Sequence, residues 1–234
     1  MNLEDNTFIV SFGVLGVEMF TGIVGGCHQI VAMDDNTNVL KLTLEVPNFF
    51  TKKLKVGASV AIDGICLTVT KLMQSTYNNH VIQFDVIEET LNRTYLKHKK
   101  VGNFVNLERS LKLGDELGGH ILSGHISDTA VIRTISSHDT SRIFEFMINE
   151  KWAEYIFPKT SIAVDGVSLT IVEVSGKKKS HEDQIIFSTH IIPETLRTTT
   201  FIYKRTGDLV NIELNSMIKT IVETVKNNLD QVEQ

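Results

Sequence analysis

The segment GGHILSGH (118–125) sets His120 and His125 on either side of Ser123-Gly124. Histidine is the side chain that changes charge near neutral pH, so such a pair suits proton transfer. A metal pair is the competing chemistry, but no third ligand follows at a recognisable spacing and the HExxH arrangement is absent. A histidine satisfied by backbone at a tight glycine-rich turn is the non-catalytic alternative. A second candidate is written twice. DGICLTVT (63–70) is echoed by DGVSLTIV (165–172), with Cys66 in one copy and Ser168 in the other. Both are nucleophiles of similar size. Neither sits in the G-x-S-x-G setting of a hydrolase nucleophile, and a free cysteine is by default a small buried apolar group. Each Asp-Gly pair reads as a tight turn between strands. Thr68 and Thr170 read as strand residues.

The repetition runs further and defines the elements that must position these groups. Thr21-Gly22 in MFTGIV matches Ser123-Gly124 at the same offset of 102. At an offset of 105, Glu89-Thr90-Leu91 matches Glu194-Thr195-Leu196, and Val105-Asn106-Leu107-Glu108 matches Val210-Asn211-Ile212-Glu213. The change of three falls where QSTYNNH faces SGKKKSHEDQ, a difference in loop length. The chain is therefore two homologous halves, near 19–115 and 116–213. VLKLTLEV, SVAI, CLTVTKL, VIQFDVI and FVNLE are short, alternating and β-rich, and RIFEFMI, SIAV, SLTIVEV, QIIFSTHII and LVNIEL match them. About six such strands per half predict a small antiparallel barrel, which removes its edges by closing. Short helical turns are expected near 48–55 and 150–156. In the tail, 214–234, Ile218, Val222, Val225, Leu229 and Val232 are spaced 4, 3, 4, 3. That heptad seam either packs on its own barrel or joins subunits.

Composition excludes some partners. The 234 residues carry a formal net charge of −5 with 42% apolar and 22% charged residues, as in an ordinary globular protein. The densest basic run, Lys177-Lys178-Lys179, reads as a hairpin tip, and without a basic stripe no nucleic-acid partner is expected. Cys27 and Cys66 form neither a disulfide framework nor a zinc pattern, which fits a reducing cytoplasm. The apolar run 8–17 lacks a basic region before it and is too short to span a bilayer, so no membrane partner is expected. Residues 1–18 are read as an extension ahead of Met19.

Taken together, MFTGIV (19–24), DGICLTVT, EETLNRT (88–94), VNLER (105–109), GGHILSGH, DGVSLT (165–170) and IPETLRTT (192–199) resemble the riboflavin synthase α-chain family, with its two lumazine-binding repeats. The match keeps the family's order from residue 19 to about 225. It implies an all-β chain of two six-stranded Greek-key barrels of the riboflavin synthase type, plus a C-terminal α-helix that joins three subunits. It also implies a transferase reaction, the last step of riboflavin biosynthesis. Two molecules of 6,7-dimethyl-8-ribityllumazine exchange a four-carbon unit, giving riboflavin and 5-amino-6-(D-ribitylamino)uracil, with no metal and no cofactor. Two copies of one molecule call for two similar pockets. Setting them face to face across neighbouring subunits is worth ~7–11 kcal/mol of barrier through orientation.

By the same resemblance, the ligand-binding segments fall on Gly22, Ile23, Val24, Ser59, Cys66, Leu67, Thr68, Asp85, Val86, Ile87, Glu88, Glu89 and Thr90 in the first half. In the second they fall on Gly124, His125, Ile126, Lys159, Ser168, Leu169, Thr170, His190, Ile191, Ile192, Pro193, Glu194 and Thr195. Phe20 and Thr21 belong to the family's essential N-terminal segment. His120 and His125 are the candidates for proton handling. Cys66, Ser168, Thr170, a water or a ribityl hydroxyl are the groups able to add to the partner ring. The resemblance further implies a cytoplasmic homotrimer associated with lumazine synthase. Both halves keep their paired polar motifs, which favours the enzyme over an antenna-type lumazine-binding protein or a ligand-free barrel. One departure is Asn215, where family members often carry Asp.

Overall fold

Alternation sets the strands. In VLKLTLEVP, Leu40, Leu42, Leu44 and Val46 are buried while the residues between them are half-exposed, the signature of a strand with one face on a core. The computed structural model describes residues 18–35, 39–138, 140–176 and 184–232. The extension before Glu18 and the Lys177-Lys178-Lys179 tip lie outside the described residues. The first half contributes β1 (Gly26–Asp34), β2 (Val39–Pro47), β3 (Ser59–Ile62), β4 (Ile65–Gln74), β5 (Asn79–Ile87) and β6 (Phe104–Arg109). The second repeats them as β7 (Asp128–His138), β8 (Ser141–Asn149), β9 (Ser161–Val164), β10 (Val167–Ser175), β11 (Gln184–Ile191) and β12 (Leu209–Leu214). Each set closes into an antiparallel barrel, in the order β1-β2-β5-β4-β3-β6 and its counterpart β7-β8-β11-β10-β9-β12. The closed six-stranded barrels and the C-terminal helix are the fold expected from the sequence. Bulges recur at matching places, between Val69 and Lys71 in β4 and between Ile171 and Val174 in β10. They bend the strands enough for so small a sheet to close. Each barrel has its own apolar core; the second is packed around Phe144, Phe146, Phe187 and Phe201.

The expected helical turn near 48–55 is α1 (Asn48–Thr51), and the one near 150–156 is a 3₁₀ turn over Glu150–Tyr155. The Glu-Thr motifs open the short helices α2 (Glu88–Arg93) and α3 (Pro193–Thr198). In α4 (Ser216–Val232) the expected seam divides. Ile218 and Val222 are half-buried, and Val222 packs on the second barrel's core. Met217, Ile221, Val225 and Leu229 form a separate exposed stripe with a spacing of four. Lys226 pairs with Glu154 at 2.6 Å, and Tyr155 donates its hydroxyl to Glu223, which ties the helix to the 3₁₀ turn. Asn215 caps α4 by accepting the Met217 and Ile218 N–H groups at 3.0 and 3.3 Å. A carboxamide caps as well as a carboxylate, so the departure at Asn215 leaves this helix start intact.

The two Asp-Gly turns carry the barrels' contact. Asp63 and Gly64 have φ of 45° and 81°, and Asp165 and Gly166 have 48° and 76°. Two successive left-handed residues make the type I′ hairpin turn that Asp-Gly favours. The turns lie back to back: a Cβ on Gly64 would sit 2.8 Å from the Gly166 nitrogen, and one on Gly166 2.7 Å from that of Gly64. Around them the bonding is paired. Asp63 accepts the Asn106 N–H at 2.8 Å and Asp165 the Asn211 N–H at 2.7 Å. The Asn106 and Asn211 amides then cross over, donating to the Asp165 and Asp63 carbonyls at 2.9 and 3.0 Å. Lys99 reaches Asp63 at 3.0 Å and Lys204 reaches Asp165 at 2.6 Å, with both lysine side chains no more than 10% exposed. Buried charges are costly unless paired and fully hydrogen-bonded, and here they are both. One residue breaks the symmetry. Tyr95 places its hydroxyl 2.7 Å from Asp63 and 3.1 Å from Asp165, beneath both ammonium groups, whereas its counterpart in the second half is Thr200. Burial, reinforced by the two aspartates, holds the Tyr95 hydroxyl protonated well above its ordinary range, and burial raises the Asp165 carboxyl.

Tyr95→Phe removes the hydroxyl that separates two buried carboxylates while keeping the ring. It is expected to destabilise the chain by about 1–3 kcal/mol, the range for a buried bond to a charged group. Urea unfolding should report this as a lower midpoint at unchanged slope.

Candidate active site

Two short segments, 18–24 and 120–126, cross between the barrels, and they build the site. Phe20 and Leu122, equivalent residues of the two halves, exchange backbone hydrogen bonds at 2.9 Å in both directions. Both are buried against Ala61 and Ala163, in a small cluster between the barrels. Beyond this crossing each segment lies on the other half's DG-x-[CS]-LT strand. Ser168 N–H donates to the Gly22 carbonyl at 2.9 Å, and Cys66 N–H donates to the Gly124 carbonyl at 3.0 Å. Val24 packs on the second barrel's core and Ile126 on the first's. Glycine is required at both approaches: a Cβ on Gly22 would lie 2.6 Å from Ser168 Cβ, and one on Gly124 2.4 Å from Cys66 Cβ, at φ of 75° and 77°.

The two sites share this plan and differ in chemistry. At the first barrel, Cys66, Gly124, His125 and Ile126 line a cleft of about 310 Å³ with Glu89, Thr90 and Arg93. Glu18 stands 3.5 Å from the Cys66 sulfur. Burial pushes the Cys66 thiol up to about 11; a bond to Ser59 opposes this and the Glu18 charge adds to it. Cys66 is thus a neutral thiol at physiological pH and a poor nucleophile. At the second barrel, His120 Nδ1 lies 2.7 Å from Ser168 Oγ. His120 occupies the place of Glu18, as Ser168 occupies that of Cys66. Burial lowers the His120 pKa, so its neutral form prevails near pH 7. With its proton on Nε2, Nδ1 accepts from the Ser168 hydroxyl as a general base does, and the buried Nε2–H has no partner among the described residues.

The structure sorts the residues singled out in the sequence. His120 and His125 serve different barrels: His120 meets Ser168, and exposed His125 lines the Cys66 cleft. Thr68 and Thr170 are exposed two residues beyond Cys66 and Ser168, and so on the same strand faces. Leu67, Val86, Leu169 and Ile191 are in the barrel cores, leaving only their backbones for a ligand. Asp85, Ile87, Glu88, Glu89, His190, Ile192, Pro193 and Glu194 are exposed along the ends of β5 and β11 and the starts of α2 and α3, and Thr90 and Thr195 are half-buried there. Ile23 is exposed. Ser59 is buried and pairs with Thr68, but its counterpart is Ser161, which pairs with Thr170. Lys159 lies instead on an exposed turn at φ 66°, in the place of Gly57. Phe20 and Thr21 are buried and structural in their contacts. Sequence reasoning missed Glu18 by joining it to the extension. It also gave no role to Glu108 and Glu213, although their repetition in VNLE and VNIE was visible. Glu108 accepts Thr21 N–H, Thr21 Oγ1–H and Gly22 N–H at 2.7, 2.8 and 3.0 Å. Glu213 accepts the same three groups of Ser123 and Gly124 at 2.7, 2.8 and 3.1 Å.

Comparison with known proteins agrees with the duplication. The lumazine binding domain model matches twice, over residues 21–110 and 123–215. Riboflavin synthase of Escherichia coli (strain K12) is 40% identical over 209 residues, covering 89% of this chain and 92% of that protein. The chain belongs to the riboflavin synthase family. Riboflavin synthase of Chlamydia pneumoniae is 41% identical over 208 residues, covering 89% and 96% of the two chains. Among solved structures, LumP complexed with riboflavin superposes with a TM-score of 0.72 at 26% identity, over 83% of this chain and 98% of that one. LumP complexed with 6,7-dimethyl-8-(1'-D-ribityl) lumazine gives 0.69, also at 26% identity and the same coverage. The two matches of the family model fall one on each barrel.

Gly124→Ala places a methyl group into Cys66 at a left-handed φ, whereas Gly57 has a similar φ of 87° and open space around it. Gly57→Ala therefore measures the backbone cost alone, about 1 kcal/mol. Gly124→Ala is expected to cost at least 1–3 kcal/mol more, roughly as overpacking does, when the two are compared by urea unfolding.

Proposed function

We propose that the chain catalyses the riboflavin synthase reaction: two 6,7-dimethyl-8-ribityllumazine molecules exchange a four-carbon unit to give riboflavin and 5-amino-6-(D-ribitylamino)uracil. The product pair contains every atom of the two substrates, so no oxidant, reductant or further reactant enters. The observation that carries this reading is the same strand-and-crossing-segment arrangement on both duplicated barrels, one of them setting a histidine ring nitrogen 2.7 Å from a serine hydroxyl. Curated relatives named riboflavin synthase support it, as do LumP complexes with riboflavin and with the lumazine.

In this reading the pyrimidinedione edges meet the backbone groups of the DG-x-[CS]-LT strands and crossing segments. The ribityl chains reach the hydroxyls and carboxylates at the starts of α2 and α3. The acidic 7-methyl group of one lumazine gives up a proton, and a weak base suffices for that. His120 is the base whose neutral form is favoured by its burial. Ser168 is the best-placed hydroxyl for addition to the partner ring, because a ring nitrogen able to accept its proton lies 2.7 Å away. Cys66, held as a thiol, contributes shape and packing instead. The exposed Met217-Ile221-Val225-Leu229 stripe is offered as the surface through which α4 joins three subunits, bringing the pockets of neighbouring chains face to face. No helix among the described residues is long and apolar enough to cross a membrane. With the free cysteines, this is consistent with a cytoplasmic enzyme.

Incubation of the purified chain with the lumazine alone should yield one riboflavin per two lumazines consumed, followed by riboflavin absorbance. Tight lumazine binding without turnover would replace the catalytic reading with a ligand-holding one. His120→Gln is expected to lower kcat roughly 10²–10⁴-fold, the range for loss of a positioned acid–base group. Because burial depresses the His120 pKa, activity should persist as pH falls through ~6.5, the ordinary histidine value, and disappear only below it. That acid limb should be missing from the pH–kcat profile of the variant.

A further inference from the structure

Glu108 and Glu213 stand on β6 and β12, both buried, and Glu108 takes no part in lining the Cys66 cleft of its own barrel. Each spends its whole carboxylate on a segment that then leaves for the other barrel. Glu108 holds Thr21 and Gly22, whose carbonyls in turn accept the N–H of His120 at 3.0 Å and of Ser168 at 2.9 Å. Glu213 holds Ser123 and Gly124, and the Gly124 carbonyl accepts the Cys66 N–H at 3.0 Å. Three donors converge on each carboxylate in the same pattern, so the geometry is built for an anion and not for a neutral amide. Burial raises both carboxyls and those donors pull them back. A carboxamide of the same shape would have to turn its NH₂ toward at least one of these N–H groups.

We propose that Glu108 and Glu213 are positioning residues that act across the barrel boundary: Glu108 sets the wall of the Ser168 site, and Glu213 sets the wall of the Cys66 site. Their part in catalysis rests on the reaction proposed above; the crossed dependence itself does not. The segment carrying Glu18 to Cys66 is held separately, by Leu111 N–H on the Met19 carbonyl at 2.7 Å and by the Phe20–Leu122 pair. Loss of Glu108 therefore leaves the immediate cover of Cys66 in place.

The test is the alkylation rate of Cys66 by iodoacetamide in the ligand-free full chain, read by peptide mass spectrometry, with Cys27 on β1 as the internal measure of general loosening. Glu213→Gln is expected to speed Cys66 labelling relative to Cys27 about 10-fold or more, the factor for losing a buried bond to a charged group, while Glu108→Gln leaves the ratio unchanged. The Glu213 charge also faces Cys66, so a second pair separates release from charge and serves if the Gln variants do not fold. Ser123→Ala should speed the labelling, and Thr21→Ala should not. In a Ser168→Cys background the pattern should invert, with Glu108→Gln and Thr21→Ala accelerating labelling at position 168. Equal acceleration by both members of a pair, or by neither, overturns the proposal. Labelling needs no turnover, so an inactive chain would unseat the catalytic reading without deciding this one.

Discussion

The contact between Gly64 and Gly166 is the constraint on which the molecule is built. Two hairpin turns approach so closely that neither tolerates a side chain, and the aspartates before them are buried, at no more than 1% exposure. Everything around the contact answers that problem: two lysines, two asparagines that bridge to the opposite turn, and one tyrosine hydroxyl between the carboxylates. Fixing the turns fixes where β4 and β10 start. Cys66 and Ser168 are each three residues beyond the aspartates, so the contact also fixes the distance and direction between the two sites. The rigid centre and the reactive groups belong to the same eight-residue stretch.

Symmetry here is a frame on which differences are hung. Tyr95 faces Thr200, Cys66 faces Ser168, Glu18 faces His120, and Gly57 faces Lys159. The first of these is internal and balances charge. The next two alter proton affinity at the pockets. An acid stands beside a thiol that burial keeps protonated at one site, and a histidine whose neutral form burial favours stands on a hydroxyl at the other. A reaction between two copies of one molecule needs such inequality, because one copy must give what the other takes.

Much of the fold was legible in the sequence. Alternating apolar residues marked the strands, Asp-Gly marked the type I′ turns, and the repeat offset marked the duplication. These signals are local, or compare one segment with another. The site was legible only in part. His120, Ser168, Cys66 and Gly22 could be named, because their types and repetition are visible. That His120 and His125 part company to opposite barrels could not, since five residues of spacing do not reveal that the chain crosses over between them. Glu108 and Glu213 showed only their repetition, because their partners lie 87 and 90 residues away. The tail's heptad left its partner open for a physical reason: Tyr155 and Glu154 turn one face of α4 toward the barrel, which divides the apolar residues between two surfaces.

The crossing segments bear on how such a chain can change over time. Each site borrows a wall from the other half, so a change in one copy of the duplicated domain is felt in the other. Thr21 and Glu108 are bonded to the segment that meets Ser168, and Ser123 and Glu213 to the one that meets Cys66. Glu18 and His120, by contrast, each touch a single site and differ in kind between the halves. The lineage could make its two pockets unlike in chemistry while the architecture kept them alike in shape.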